Sequence, residues 1–236
     1  MNRICLIISL LLAFSFHAVA QEDTTLNQTN DMGEKHGKWI KKDRKGNIVY
    51  EGYFENGQPV DTFRHYYPEK NKLKAIAIHR GSGEMFVKNY YENGKLKAEG
   101  KYINRKKDSV WRFFRKEGRL VSEEYFKENI RHGKAVFYFF SGDTLKVTHY
   151  KAGKPHGEEK VYYEGGELNK KVMYDEGKLD GAYQVFYPDG DTMTSGLYQQ
   201  DKKDSVWRYF NESGEPVKEE HYQNGKLKKT ESYKVE

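Results

Sequence analysis

A step of 24 residues runs through this chain. The heptapeptide Lys-Lys-Asp-Ser-Val-Trp-Arg stands at Lys106–Arg112 and again at Lys202–Arg208, 96 residues or four steps later. Between the copies, Ser109, Gly133, Gly157, Gly181 and Ser205 fall on successive steps. Backwards, the series continues less strictly through Phe86, Thr62 and Gly37, giving about eight repeats over residues 36–226. A fixed period of this length marks an array of small supersecondary units that complete one another's packing. It excludes a single irregular globular core.

Each unit reads as two strands. Nine residues after the anchor stands a glycine: Gly46, Gly118, Gly142, Gly166, Gly190 and Gly214, with Gly94 one residue early and Asn71 in repeat two. Glycine and asparagine tolerate the left-handed backbone that tight turns require. A second turn signal follows near position twenty, including the Asn-Gly pairs Asn56-Gly57 and Asn224-Gly225, and Asn-Gly is a strong hairpin signal. Paired aromatics fill the first segment, as at Phe113-Phe114 and Tyr209-Phe210, and a ring closes the second, as at Phe126, Tyr150 and Tyr222. Such enrichment between closely spaced turns means strands. No window holds the helical spacing of apolar residues. The expected fold is all-β: an elongated single-layer antiparallel β-meander of about eight 24-residue hairpin repeats. Lys41-Lys42 in repeat one suits a polar cap, and a Lys-rich last strand over residues 227–235 suits an exposed edge.

Gly37/Trp39/Gly46, Ser109/Trp111/Gly118 and Ser205/Trp207/Gly214 carry a Gly-x-Trp-x6-Gly pattern, and Tyr150/Gly153/Lys154 and Tyr174/Gly177/Lys178 carry Tyr-x-x-Gly-Lys. This pattern resembles the bacterial variant of the MORN (membrane occupation and recognition nexus) repeat over about four-fifths of the chain. The resemblance implies a β-hairpin array. It also implies a binding role, since some bacterial proteins with such repeats are similar to antitoxins of toxin–antitoxin systems, and eukaryotic relatives are implicated in membrane and protein scaffolding.

The first twenty residues read as an address. Arg3 precedes the apolar run Ile4–Phe16, and Ala18-Val19-Ala20 forms a small-residue cleavage site before Gln21, the pattern of a secretory signal peptide. The expectation is export through a cleaved signal peptide to the periplasm or the outside of the cell. Residues 21–35 read as a flexible leader and 36–236 as the repeat domain. The single cysteine, Cys5, lies in the signal segment, so the mature chain can form no disulfide. Without Arg3, 40 basic side chains face 35 acidic ones, a net charge of +5. That mixed balance is no nucleic-acid footprint, and no nucleic-acid partner is expected. Charged residues make up 32% of the chain, a proportion that alone suggests disorder, but aromatics make up 15%. Disordered chains lack such aromatic content, and each ring can bury about 150–250 Å².

No catalytic grouping, phosphate loop or metal-binding helix is present. The expectation is a non-enzymatic protein without metal or cofactor. His36, His132 and His156 precede anchor positions where other repeats carry Asp61, Asp108, Asp180 and Asp204, so they read as turn residues. Glu123-Glu124 and Glu219-Glu220 read as solvated strand faces. The candidate contact residues are basic and aromatic. Lys107, Arg131, Lys154, Lys178, Lys202 and Lys226 recur near the second turn and should line one edge, while Trp39, Trp111 and Trp207 share one repeat position, with Arg112 and Arg208 beside two of them. As a contact line they suit an acidic protein partner, a cell-wall glycan stacked on the rings, or an anionic membrane surface. As architecture they would supply solubility and ladder packing. The leading expectation is an exported scaffold that binds a protein partner.

Overall fold

A computed structural model describes residues 25–234; the expected signal segment lies outside them. Among the described residues are eighteen β-strands and no helix. Each strand pairs antiparallel with its sequence neighbour, from Gln28–Thr29 through to Lys226–Ser232, in one open sheet. The expected meander of hairpin repeats is the observed fold.

Two kinds of turn alternate along it. At one edge, two-residue turns place both residues at positive φ: Asn56-Gly57 (46° and 73°), Ala152-Gly153 (50° and 82°), Asn224-Gly225 (50° and 78°). That geometry matches the twist of the flanking strands. At the other edge, each turn closes on a glycine such as Gly118, whose N–H donates to Arg115 O at 2.9 Å. Past the two-residue turn, the next strand bulges at a left-handed residue, as at Ser109 (φ 61°), Gly133 (69°) and Ser205 (58°). The repeat anchor is therefore a bulge residue.

This bulge corrects the register of repeats two and three. The bulge of repeat two is Asp61, at φ 58°, and not Thr62. Counted from Asp61, the step falls next on Met85 and then on Ser109, so Gly94 is in step with Gly118 and no deletion is needed. The irregularity is an added residue in the turn after Tyr67, whose N–H reaches Lys72 O at 2.8 Å where Tyr91 N–H reaches Lys95 O. Met85 carries no bulge, and Leu73–His79 pairs with Glu84–Tyr90 without a register shift. The longer Arg80–Glu84 turn, closed by Arg80 N–H to Glu84 O at 3.0 Å, takes up the residues that elsewhere enter the bulge.

One face of the sheet carries the packing. Along its midline run position two of each first strand and position fifteen of each second strand, counted from the bulge, or sixteen in repeat two, where the added turn residue intervenes. Large and small residues alternate there: Trp39 pairs with Gly52, Phe63 with Ala77, Val87 with Gly100, Tyr183 with Gly196. The ring of the following repeat then seats over each glycine. A Cβ on Gly100 would lie 2.3 Å from the Trp111 ring, one on Gly196 2.3 Å from Trp207, and one on Gly52 2.6 Å from Phe63. Edge-on neighbours flank these rings, with Tyr102–Trp111 centroids 4.9 Å and Tyr198–Trp207 centroids 5.1 Å apart. Trp111 and Trp207 are 1% and 2% exposed, and their indole N–H groups donate to Lys101 O and Leu197 O, both at 3.0 Å. A single layer thus buries its largest side chains on one face.

Hydrogen bonds also tie repeat to repeat at both edges. Tyr67, Tyr91, Tyr163 and Tyr187 each donate their hydroxyl to a carbonyl 23 residues on, at 2.7–2.9 Å. At the opposite edge, Gly57, Gly153, Gly177 and Gly225 N–H groups donate to carbonyls 22 residues back, at 2.8–2.9 Å. Of the expected leader, residues 25–35 are described: Gln28–Thr29 pairs with the first long strand, and Gln28 O accepts from Trp39 Nε1 at 2.9 Å. The last strand is Lys226–Ser232, exposed along nearly all its length.

Removing one tyrosine tie isolates its contribution. Tyr91→Phe should cost about 0.5–1.5 kcal/mol, the net worth of one hydrogen bond, read as a lower urea midpoint. An unchanged midpoint would show that the tie adds nothing to the ladder.

Candidate functional site

The structure divides the candidate residues between two faces and an edge. Trp39, Trp111 and Trp207 belong to the packed face. Each lies beneath a lysine four residues earlier: Lys35 Nζ is 4.6 Å from the Trp39 centroid, Lys107 4.6 Å from Trp111, and Lys203 4.2 Å from Trp207. An ammonium held there interacts favourably with the ring quadrupole. Burial pushes the Lys107 pKa down. With one side on a glycine and another under a lysine, Trp111 and Trp207 are committed to packing and present no open surface for a sugar. Sequence reading missed Lys35 and Lys203; their signal is the constant Lys-x3-Trp spacing.

The basic stripe separates in the same way. Lys107 and Arg131 point to the packed face, where Arg131 Nε meets Glu124 at 2.6 Å. Lys154, Lys178, Lys202 and Lys226 open the strands after the two-residue turns, are exposed, and have no acidic partner among the described residues. Arg112 and Arg208 lie on the outer face, opposite the ladder, and bond to Glu123 at 2.6 Å and Glu219 at 2.8 Å. That face also exposes Tyr53, Val110, Tyr125 and Leu197. Tyr53, Tyr125 and Leu197 fall 72 residues, or three repeats, apart.

The paired glutamates are not both solvated. Strand alternation sends Glu123 and Glu219 outward and turns Glu124 and Glu220 into the ladder. Glu124, 5% exposed, accepts from Ser122 Oγ at 2.8 Å as well as from Arg131. Glu159 occupies the same midline and accepts from Thr148 Oγ1 at 2.7 Å. Hydrogen bonds from Tyr209, Lys218 and Tyr222 hold the Glu220 carboxyl down at about 2, and burial together with Glu220 raises the Tyr209 hydroxyl. On the outer face, ligand atoms of Glu219, His221 and Glu231 come within 4.8 Å of one another. Arg208 and Lys229 already pair with the two carboxylates, so the group acts as an ion network.

The largest departure from the ladder lies in repeats two and three. Position two is Val87 where Trp39, Trp111 and Trp207 stand elsewhere, and Asn89 replaces the ring of Phe113 two residues on. With Ala75 and Ala77 on the adjacent strand, the packed face sinks into a trough of about 610 Å³. Phe54 and Phe63 wall one side and Tyr102 the other, while His65, His79 and Arg105 supply polar groups. Burial, helped by Lys74, lowers the pKa of His65, and burial lowers that of His79. An adjoining depression runs past Met85 to the Arg80–Glu84 turn. In the sequence the place of the trough is marked by the irregularity of repeats two and three, with Pro68, the inserted Glu69–Asn71 and the apolar Ala75–Ile78; the missing rings show only once the repeats are phased on Asp61.

The bulge and the turn after it fall inside three of the four stretches where the chain matches a known family. The MORN repeat variant matches at residues 35–59, 87–104, 155–176 and 203–224. Three of these MORN-variant stretches begin two residues before a bulge, at Lys35, Pro155 and Lys203, so each match takes in the bulge, the ring position and the following turn. No curated protein matches the chain. Two solved structures are similar in part, titled crystal structures of TcdB2-TccC3-Cdc42 and of TcdB2-TccC3-TEV. The first is 12% identical over 79% of this chain and 13% of that one, with a TM-score of 0.22. The second is 14% identical over 86% and 12%, with a TM-score of 0.24. The chain therefore spans about an eighth of their length.

The depressed Glu220 pKa fixes the sign of a pH effect. A carboxylate whose folded pKa lies below its unfolded value stabilises the fold fully above the unfolded pKa, and that contribution disappears as pH falls through the folded pKa. Wild type should lose thermal midpoint between about pH 4.5 and 2, and Glu220→Gln should lose less over that window. Parallel midpoint-against-pH curves would show that Glu220 is not the group responsible.

Proposed function

We propose that the protein is an exported, non-enzymatic scaffold that binds a protein partner through the outer face of its sheet. The observation that carries this reading is the division of labour between the faces. One face is used for its own packing. The other exposes Tyr53, Tyr125 and Leu197 in one repeat position, with Arg112 and Arg208 among them. Aromatic residues and arginine are enriched where proteins meet, and a repeat array offers a long surface for such contact.

Photo-crosslinking tests it. A benzophenone side chain at Tyr125 or Leu197 should give a discrete adduct in envelope extract of the source cell, whereas the same group at Tyr150, on the packed face, should not. Arg112→Glu with Arg208→Glu should reduce the adduct. Equal labelling from both faces, or none, would count against the outer face as the contact surface. The export part has its own readout: the mature protein should begin at Gln21 by mass spectrometry, and an intact Met1 in the envelope fraction would contradict cleavage.

A second reading draws on the edge. Lys154, Lys178, Lys202 and Lys226 are exposed and unpaired at a constant step, which supports contact with an anionic membrane surface. Binding to anionic vesicles should then weaken as salt rises; salt-independent binding would exclude the electrostatic form.

A further inference from the structure

We propose that the trough in repeats two and three is a binding site for a small apolar monocarboxylate, with its hydrocarbon body on the rings and its carboxylate on Arg105. This is independent of the protein-partner reading, because the trough lies on the opposite face from Tyr125 and Arg112.

Shape is the first support. A pit of about 610 Å³ falls within the size of small-molecule sites, which are concave, mostly apolar and carry few polar groups. The ladder leaves this pit open because Val87 and Asn89 stand where repeat four places Trp111 and Phe113 and repeat eight Trp207 and Tyr209. Its floor of Ala75, Ala77 and Val87 is apolar, and Phe63 and Tyr102 offer ring surface to a flat or branched body.

Charge is the second support. The titratable groups lining the trough besides its two tyrosines are His65, His79 and Arg105, with Lys74 close enough to influence His65. No carboxylate lines it. In the adjoining depression Glu84 is held by Lys101 at 3.4 Å. Among the described residues, the Arg105 guanidinium has no acidic partner. A guanidinium beside an apolar pit suits a carboxylate, which it can grip with two parallel hydrogen bonds.

The placement of Arg105 is the third. It is the second residue of a two-residue turn, at φ 64°. Equivalent turns use Gly57, Asn129, Gly153, Gly177, Asp201 and Gly225, residues that accept a left-handed backbone at lower cost. Repeat three accepts that strain and carries an arginine at the rim of the pit.

Titration of the full chain with three probes of one shape tests the proposal: 4-phenylbutyrate, 4-phenylbutanol and 4-phenylbutylamine, followed by calorimetry. The acid should bind saturably, about tenfold or more tighter than the amine, since a charge-assisted pair supplies at least that factor. Arg105→Gln should bring the acid to the level of the alcohol; glutamine, like arginine, is unbranched at Cβ, so the variant asks of the φ 64° position no strain that Arg105 does not already meet. Val87→Trp, which installs the ring that Trp39, Trp111 and Trp207 supply at this position, should abolish binding of all three. Equal binding of acid and amine, an acid affinity unaltered by Arg105→Gln, or no saturable binding would each overturn the proposal.

Discussion

The seating of an aromatic ring over a glycine of the preceding strand makes a single-layer sheet possible here. Sheets ordinarily bury one face against another layer. Among the described residues this one has no second layer, so its burial must come from side chains lying along the sheet itself. A ring can lie flat there only where the neighbouring strand lacks a Cβ; Gly100 and Gly196 supply that gap for the indoles of Trp111 and Trp207, and Gly52 for Phe63. A buried ring removes about 150–250 Å² from water, worth about 4–6 kcal/mol at 25 cal/mol/Å². The contact always joins one repeat to the previous one, which is why the array gains stability by adding neighbours.

Other features follow from where that seating is kept or abandoned. Between repeats four and six the midline reads Glu124, Ala135, Thr148, Glu159 and Val172, and buried carboxylates are satisfied by Ser122, Arg131 and Thr148. These groups must be paired, because an unpaired charge in that position would cost several kcal/mol. At Ala75, Ala77 and Val87 no ring or paired carboxylate of the repeat or its neighbours fills the midline, and the trough results. Because the ladder occupies most of one face, Tyr53, Tyr125, Arg112 and Arg208 are left exposed on the other.

Much of the fold was legible because the step of 24 and its turn residues report local backbone geometry. Asn56-Gly57 and Asn224-Gly225 can form the turns they do regardless of what packs on them, and the doubled rings mark strands. The bulge was not legible as such. Gly37 and Ser109 look like turn residues, and only the left-handed Asp61 shows that repeat two is phased one residue earlier than its aromatics suggest. Face assignment failed at Glu123-Glu124 for a related reason: adjacent strand residues point to opposite faces, so a charged pair is never wholly on one. The basic stripe mixed two adjacent positions, and alternation sent Lys107 inward and Lys154 outward. Pro68 and the apolar Ala75–Ile78 mark repeats two and three as irregular, but the trough itself is defined by absent side chains, so its shape was not legible.

A double-mutant cycle on Gly100 and Trp111 tests the seating most directly. Gly100→Ala should cost about 1–3 kcal/mol in the wild-type background, the usual cost of overpacking. In a Trp111→Val background, where no indole lies over the glycine, the same change should cost a few tenths of a kcal/mol or become favourable, giving a coupling of at least about 1 kcal/mol between the two sites. Equal costs of Gly100→Ala in both backgrounds would contradict the dependence of the sheet on a ring seated over glycine.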